Sequence, residues 1–260
     1  MNIIVCVKQV PDTTEVRIHP VKGTLIREGI PSIMNPDDKA GLEAALRLKD
    51  EMGAHVSVIT MGPRQADEVL REALAMGADK AYLISDPDFS GSDTWATSST
   101  IAAAITKLEY DLVITGRQAI DGDTAQVGPE IAEHLNIPHI SYCEELKIDG
   151  DEVVVKRQFE DRYQILSVRM PALITALGEL NEPRYMTPGG IFDAYREKEI
   201  TLWTRPDIPI KDENIGLKGS PTRVAKTNPK LLKQPGTKIE TGVDESVQFI
   251  MEKLKEKFIL

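Results

Sequence analysis

A doubly wound, mostly parallel α/β sheet, with a small antiparallel addition and an extended C-terminal arm, is the fold this sequence predicts. Three observations lead there. Apolar runs rich in Val and Ile recur at 3–7, 56–60, 81–84, 112–115 and 172–175 without polar alternation, as strands covered on both faces require. Helical patterns separate most of them, which makes βαβ units with right-handed crossovers. Beyond residue 140 the pattern turns to antiparallel strands, and beyond 180 its periodicity fades.

Taken in order, "IIVCV" is a first core strand; it is too short and lacks the basic start of a signal peptide. "NPDDKAGLEAALRLKDEMG" is a helix with Asn35 as N-cap, Pro36 at the first position and Asp37 and Asp38 against its positive end. Leu42, Ala45, Leu46 and Met52 form its apolar stripe, and Gly53 ends it. The next helix turns Ala66, Val69, Leu70, Ala73 and Leu74 inward and stops at Gly77. Two more helices fall at 93–108 and 125–135. A hairpin within 143–170, turning at Asp149-Gly150, completes an α/β domain over 1–180. Residues 181–240 hold seven of the sixteen prolines yet keep Tyr185, Ile191, Phe192, Tyr195 and Trp203. Such a segment suits an arm lying on a partner subunit better than a disordered chain. Residues 241–260 return to helix, with Val243, Val247, Ile250, Met251, Leu254 and Phe258 on one face.

At 260 residues the chain can bury a full core, in one or two domains. A formal net charge of -10 without any basic block argues against nucleic acid and anionic membrane as partners. No run approaches the ~20 apolar residues of a membrane helix. Cys6 and Cys143 stand far apart, so free thiols in a reducing cytoplasm are expected. His19, His55, His134 and His139 have no metal-ligand spacing and no paired nucleophile. With no strong acid–base pair in view, any redox work falls to a cofactor.

In a doubly wound sheet the ligand sits beyond the carboxyl ends of the strands, at the switch in strand order. The polar residues there are Lys8 and Gln9, Asn35 to Asp38, Met61 and Gly62, "GSDTWATSS", and above all "GRQAIDGDTAQVG" at 116–128. Glycines, hydroxyls, amides and helix N-termini in such loops suit phosphate and ribose. The sequence holds neither the Rossmann fingerprint nor a Walker A motif. Asp123 also fits a purely structural reading, a helix cap completed by Gln126, although Pro129 pushes the helix start later. A calcium loop lacks its further ligands.

The motifs "VCVKQVPD", "NPDDKAGLEAALRLKD", "TMGP", "ALAMGADKAYL", "GRQAID", "MPALIT" and "LNEPRY" together carry a family resemblance. Over essentially its whole length the chain resembles the β subunit of electron-transfer flavoprotein; "VKRQFEDRY" follows the family pattern only loosely. The resemblance implies an adenine-nucleotide-binding α/β domain paired with an α subunit that carries an FAD. Conventional members hold AMP and have a loop like "GKQAIDDDCNQTG". The loop here, with "DTWATS" at 93–98, is similar to electron-bifurcating members, which bind a second FAD there. Gly122, Thr124 and Ala125 are small, which leaves room for the rest of a dinucleotide.

By that resemblance NADH reduces the β-subunit FAD. One electron then goes to ferredoxin or flavodoxin, the other through the α-subunit FAD to an acyl-CoA dehydrogenase-like or lactate dehydrogenase-like partner. The cofactor lining carried over by position is Cys6, Asn35, Pro36, Asp37, Asp38, Met61, Asp93, Thr94, Thr97 and the loop Gly116, Arg117, Gln118, Ala119, Ile120, Asp121, Gly122, Asp123, Thr124, Ala125, Gln126 and Val127. Amides of 123–126 would take the phosphates, and Arg117 would lie near the flavin or its pyrophosphate, stabilising the reduced anion; its alternative is an exposed or ion-paired arginine. Leu180, Asn181, Glu182, Pro183, Arg184 and Tyr185 match the family's recognition loop, with Leu180 as interface anchor or as local core plug. A conventional AMP-holding carrier and a nucleotide-binding sensor without redox work remain the alternatives.

Overall fold

The structure, a computed structural model, describes residues 1–12, 31–223, 225, 236 and 238–260; His19 and the arm residues 224, 226–235 and 237 lie outside the described residues. The chain divides into Met1–Ala225 and Lys226–Leu260. In the first unit the elements run β1 (Asn2–Cys6), β2 (Gln9–Pro11), β3 (Ser32–Met34), α1 (Pro36–Met52), β4 (His55–Met61), α2 (Asp67–Met76), β5 (Lys80–Ile84), α3 (Thr94–Ile105), β6 (Leu112–Gly116) and α4 (Val127–Leu135). There follow β7 (His139–Asp149), β8 (Glu152–Gln158), β9 (Tyr163–Arg169), β10 (Ala172–Ala176), α5 (Pro188–Arg196), β11 (Ile200–Trp203) and α6 (Gly216–Gly219).

One sheet has the order β11-β5-β4-β1-β6-β10-β7-β8-β9, and β2 and β3 pair separately. All neighbours from β11 to β7 are parallel, while β7, β8 and β9 are antiparallel. The unbroken apolar runs have their reason here, because both faces of the sheet are covered. Ile3, Val5 and Val58 pack with Leu42, Leu46 and Leu70 of α1 and α2, and with Ala194 of α5. Ile4, Ile59 and Val113 pack on the other face with Ile101, Ile105 and Ile131 of α3 and α4. Each such side chain gains roughly 1.5–3 kcal/mol from leaving water.

All five expected core strands form within a residue or two of the expected positions. Gly53 ends α1 in the left-handed conformation, with φ 72°. Four details differ. Met52 is 47% exposed, because it sits in the last turn of α1, past the sheet. The hairpin's two-residue loop is Gly150-Asp151, since Asp149 pairs with Glu152 and it is Gly150 that takes φ 61°. α4 begins only at Val127, so Asp123 lies four residues ahead of it and is no cap. The body of the domain also continues past 180, since α5 and β11 add a further parallel strand beside β5. Their signal is short, and β11 finds its partner about 120 residues upstream. Trp203 stacks on Tyr82 at a centroid distance of 4.6 Å, and Lys107 covers the ring.

In the second unit, α7 (Val243–Glu256) is amphipathic as expected, and Val243, Val247, Ile250 and Met251 are exposed. Among the described residues no helix is long and apolar enough to cross a membrane.

Candidate functional site

From β1 the chain builds outward through β4 and β5, then crosses back to β6 on the other flank. β1 and β6 are therefore the neighbours between which the winding reverses, and a crevice opens beyond their carboxyl ends. Asp38, buried in the first turn of α1, forms its floor. Its Oδ2 accepts from the Lys8 N–H at 2.8 Å and its Oδ1 from the Gly116 N–H at 2.9 Å, which ties the two central strands together. Burial pushes this carboxyl up to about 7, while the Asn35 amide and the Lys8 and Gly116 N–H groups pull the other way. Gly116 has to be glycine: a Cβ would stand 2.2 Å from Asp38 Oδ1 and 2.9 Å from Asp37 Cβ.

Asn35 occupies the N-cap position but its side chain caps nothing. Fully buried, it reaches across the crevice: Nδ2 donates to the Gln118 carbonyl at 2.8 Å and Oδ1 accepts from the Ile120 N–H at 3.1 Å. The loop after β6 is closed further from within. The N–H groups of Gly122 and Asp123 donate to the Ala119 carbonyl, and Gln118 Nε2 donates to the Asp123 carboxylate. Lys8 Nζ meets Asp121 Oδ1 at 2.7 Å. Both loop aspartates thus meet side chains of the protein, Asp121 the Lys8 ammonium and Asp123 the Gln118 amide.

Asp123 and Ala125 have φ of 57° and 54°, a left-handed backbone that costs a non-glycine residue roughly 1–3 kcal/mol and persists because its surroundings hold it. Alternating such residues with ordinary ones turns successive amides toward one side, which makes an anion-binding concavity. The N–H groups of Thr124, Ala125 and Gln126 have no acceptor among the described residues. No atom lies within 4 Å of a Cβ built on Gly122, so the loop is open there. Behind it, Gly128 lets α4 lie against β6; its Cβ would come 2.5 Å from Thr115 Oγ1.

Of the other expected residues, Cys6 ends β1 at the crevice, and burial together with the Asp38 charge raises its thiol far above the ordinary range, so it is no nucleophile. Arg117 Nε and Asp37 Oδ2 stand 3.4 Å apart, both buried and neither hydrogen-bonded, a loose ion pair. Burial raises the Asp37 carboxyl, and Arg117 only partly offsets it. Pro36 opens α1. Thr94 Oγ1 lies 3.0 Å from Gln126 Oε1 and 3.2 Å from Glu130 Oε1, joining the first turns of α3 and α4. Asp93 caps α3 through the Ala96 N–H and also accepts from Thr222; those bonds outweigh its burial and hold it below the usual carboxylate range. Asp93 is therefore committed to structure, and Thr97 lies half-buried on α3.

The expected recognition segment divides. Leu180 packs against the core, in favour of the plug reading. Arg184 clamps the segment to α1, with Nε 2.9 Å from Glu43 Oε2 and Nη2 2.8 Å from Asp50 Oδ2; the buried Glu43 is the stronger hold. Asn181 adds a bond to the Ala40 carbonyl, and Tyr185 is 95% exposed. Glu182 and Pro183 lie between Asn181 and Arg184 in the chain.

Met61 ends β4 and lines a small cavity of about 50 Å³ with Lys8, Gln9, Gly62, Pro63 and Ala66. A larger cavity of about 360 Å³, between β3, α1 and Pro183, shares no residue with the 116–127 loop. Among the described residues no group of side chains is arranged to hold a metal ion. Lys8 and Gln9 stand at the crevice as expected, but their bonds to Asp121, Gln65 and Glu68 were not foreseen, and Glu43, which holds Arg184, was not singled out.

A parallel sheet with its switch at β1 and β6, and free loop amides beyond it, defines the class: a doubly wound α/β protein, whose ligands sit beyond the carboxyl ends of the strands. The electron transfer flavoprotein domain matches residues 22–208. The chain is 59% identical over 257 residues, 99% of each chain, to an electron transfer flavoprotein subunit beta of Clostridium acetobutylicum. It is 55% identical over 263 residues, covering 100% of each chain, to the caffeyl-CoA reductase-Etf complex subunit CarD of Acetobacterium woodii. An acryloyl-CoA reductase electron transfer subunit gamma of Anaerotignum propionicum is 47% identical over 268 residues, again over the full length of both. The chain belongs to the electron transfer flavoprotein β-subunit family.

Proposed function

We propose that this chain is the β subunit of an electron-bifurcating electron transfer flavoprotein, holding an FAD along the β1–β6 crevice. The carrying observation is the 116–127 loop. Its amides at Thr124, Ala125 and Gln126 are free of protein acceptors, and space is open at Gly122. Those amides would take the pyrophosphate, with the α4 N-terminus behind them. Asn35 and Asp38 fix the loop and the strand ends in advance of binding, so little ordering remains to be done by the ligand. The bound FAD would take a hydride from NADH and release the electrons singly, one toward ferredoxin or flavodoxin and one toward the α-subunit FAD. Arg117 is held loosely enough to leave Asp37 and turn to the cofactor, where its charge would favour an anionic ring. An acyl-CoA dehydrogenase-like or lactate dehydrogenase-like enzyme would be the final acceptor, and Tyr185, which is exposed, would meet it. The C-terminal arm would lie on the α subunit, and the complex would work in the cytoplasm.

The test is cofactor stoichiometry. Heterodimer purified with its α subunit should yield two FADs and be bleached by NADH. One FAD with one AMP, and no response to NADH, would replace this reading with that of a conventional single-electron carrier.

A further inference from the structure

Gln9, the first residue of β2, stands beside the crevice with one polar atom that no described residue satisfies. Its side chain is buried, with 5% exposure, and it lines the cavity of about 50 Å³ between the ends of β1 and β4. The amide nitrogen lies 3.3 Å from the Gln65 carbonyl and 3.3 Å from Glu68 Oε2. Both partners are acceptors, so the nitrogen must face them and the orientation of the carboxamide is settled. Its Oε1 is then left buried with no partner. A buried acceptor without a donor is costly, and the full desolvation penalty falls on whatever state leaves it unmade.

The cavity accounts for what could satisfy it. Its walls are otherwise Met61, Gly62, Pro63, Ala66 and the stem of Lys8, which offer Oε1 no side-chain donor within bonding distance. A volume of about 50 Å³ admits one small group, the size of an amine or a water, and no ring. Lys8 lines this cavity and also reaches the crevice, where its ammonium is tied to Asp121 of the 116–127 loop. Lys8 thus bridges the loop and the cavity, so a nucleotide held by the amides of 124–126 would carry its base past Lys8 toward β4. Gln9 waits there as an acceptor.

We propose that Gln9 is a specificity-determining residue, its Oε1 accepting a hydrogen bond from the exocyclic 6-amino group of the bound nucleotide's adenine. The inference rests on the nucleotide-binding reading above. A base with hydrogen at that position leaves Oε1 unmade, and a 6-oxo base sets oxygen against oxygen. Sites that bond a donor reject analogues lacking it far more strongly than apolar pockets reject a missing methylene.

The test uses the α–β heterodimer stripped of nucleotide, titrated with AMP, purine riboside 5′-monophosphate and IMP by calorimetry. AMP should bind roughly 10- to 100-fold tighter than the purine analogue, the range set by one unsatisfied buried acceptor, with IMP weakest. In Gln9→Met, which keeps the length and removes the acceptor, AMP and the purine analogue should bind within about twofold of each other, while the phosphate contribution persists. Equal binding of AMP and the purine analogue by the wild type overturns the proposal, and means that water satisfies Gln9. So does a preference that survives in Gln9→Met. Should that variant not fold, the wild-type ratio alone decides. Failure of all three nucleotides and of FAD to bind would instead remove the nucleotide reading itself.

Discussion

Replacing Asp38 by Asn should change how the stability of this protein depends on pH. Burial raises the Asp38 carboxyl from its ordinary 3.8 to about 7 in the folded chain. Unfolded, the same group titrates near 3.8. Between these values the folded state holds a proton that the unfolded state has lost, so the contribution is fully present below 3.8 and vanishes as pH rises through about 7. At about 1.36 kcal/mol per pH unit the displacement is worth about 4 kcal/mol, of which about 3 kcal/mol is lost between roughly pH 4.5 and 8. Lowered carboxyls such as Asp79 and Asp93 act in the opposite direction, so the raw profile mixes both signs.

The difference between wild type and Asp38→Asn isolates the group. Asn has nearly the same shape but presents one acceptor where Asp38 presents two, so either the Lys8 or the Gly116 N–H loses its partner, at a cost of about 1–3 kcal/mol that does not vary with pH. Urea unfolding followed by circular dichroism, from about pH 4.5 to 8 at fixed ionic strength, gives both curves. Wild type should lead at the acid end, and its lead should shrink by about 3 kcal/mol toward pH 8. A lead constant to within about 1 kcal/mol would refute the reasoning, because Asp38 would then titrate alike in both states.

Gly116→Ala, whose Cβ would collide with Asp38 Oδ1 and Asp37, should abolish the folded state or lower its melting temperature by many degrees in a thermal scan. Gly122→Asp restores the residue of the AMP-type loop at a position open to solvent. Its stability should stay within about 1 kcal/mol of wild type while retained FAD, measured by absorbance after gel filtration, falls. Arg184→Met strands the buried Glu43 carboxylate with only the exposed Arg47 beside it; a loss of about 2–4 kcal/mol and faster proteolysis at 181–187 are expected. Asn35→Ala leaves the Gln118 carbonyl and the Ile120 N–H unpaired, which should cost about 2–4 kcal/mol and weaken nucleotide binding in calorimetry.

What the sequence made legible, and what it hid, divides by the range of the interactions. β1, β4, β5, β6 and β10 were readable because a strand covered on both faces must be apolar at every position, whatever its neighbours are. α1 and α2 were readable because their stripes and terminal glycines act within a few residues. β11 was hidden: four residues carry little pattern, and its partner β5 lies about 120 positions away. Asn35 shows the same limit at the site. As a residue type before Pro36 it announces an N-cap, and the backbone does turn into helix there, yet its side chain is spent on a loop 83 residues on. Asp123 errs in the opposite sense. A capping aspartate is locally plausible, but Asn35, Gln118 and Ala119 hold the loop in a left-handed turn that local preference disfavours. The site was locatable because a sheet of this order places its crevice by topology alone. Most of its inner wiring was not, because the bonds made by Lys8, Asn35 and Asp38 join residues far apart in sequence. That division also explains why Lys8 and Gln9 could be placed at the crevice but not given partners: each sits beside an apolar strand, and only the return of the chain after β6 and at α2 brings those partners to it.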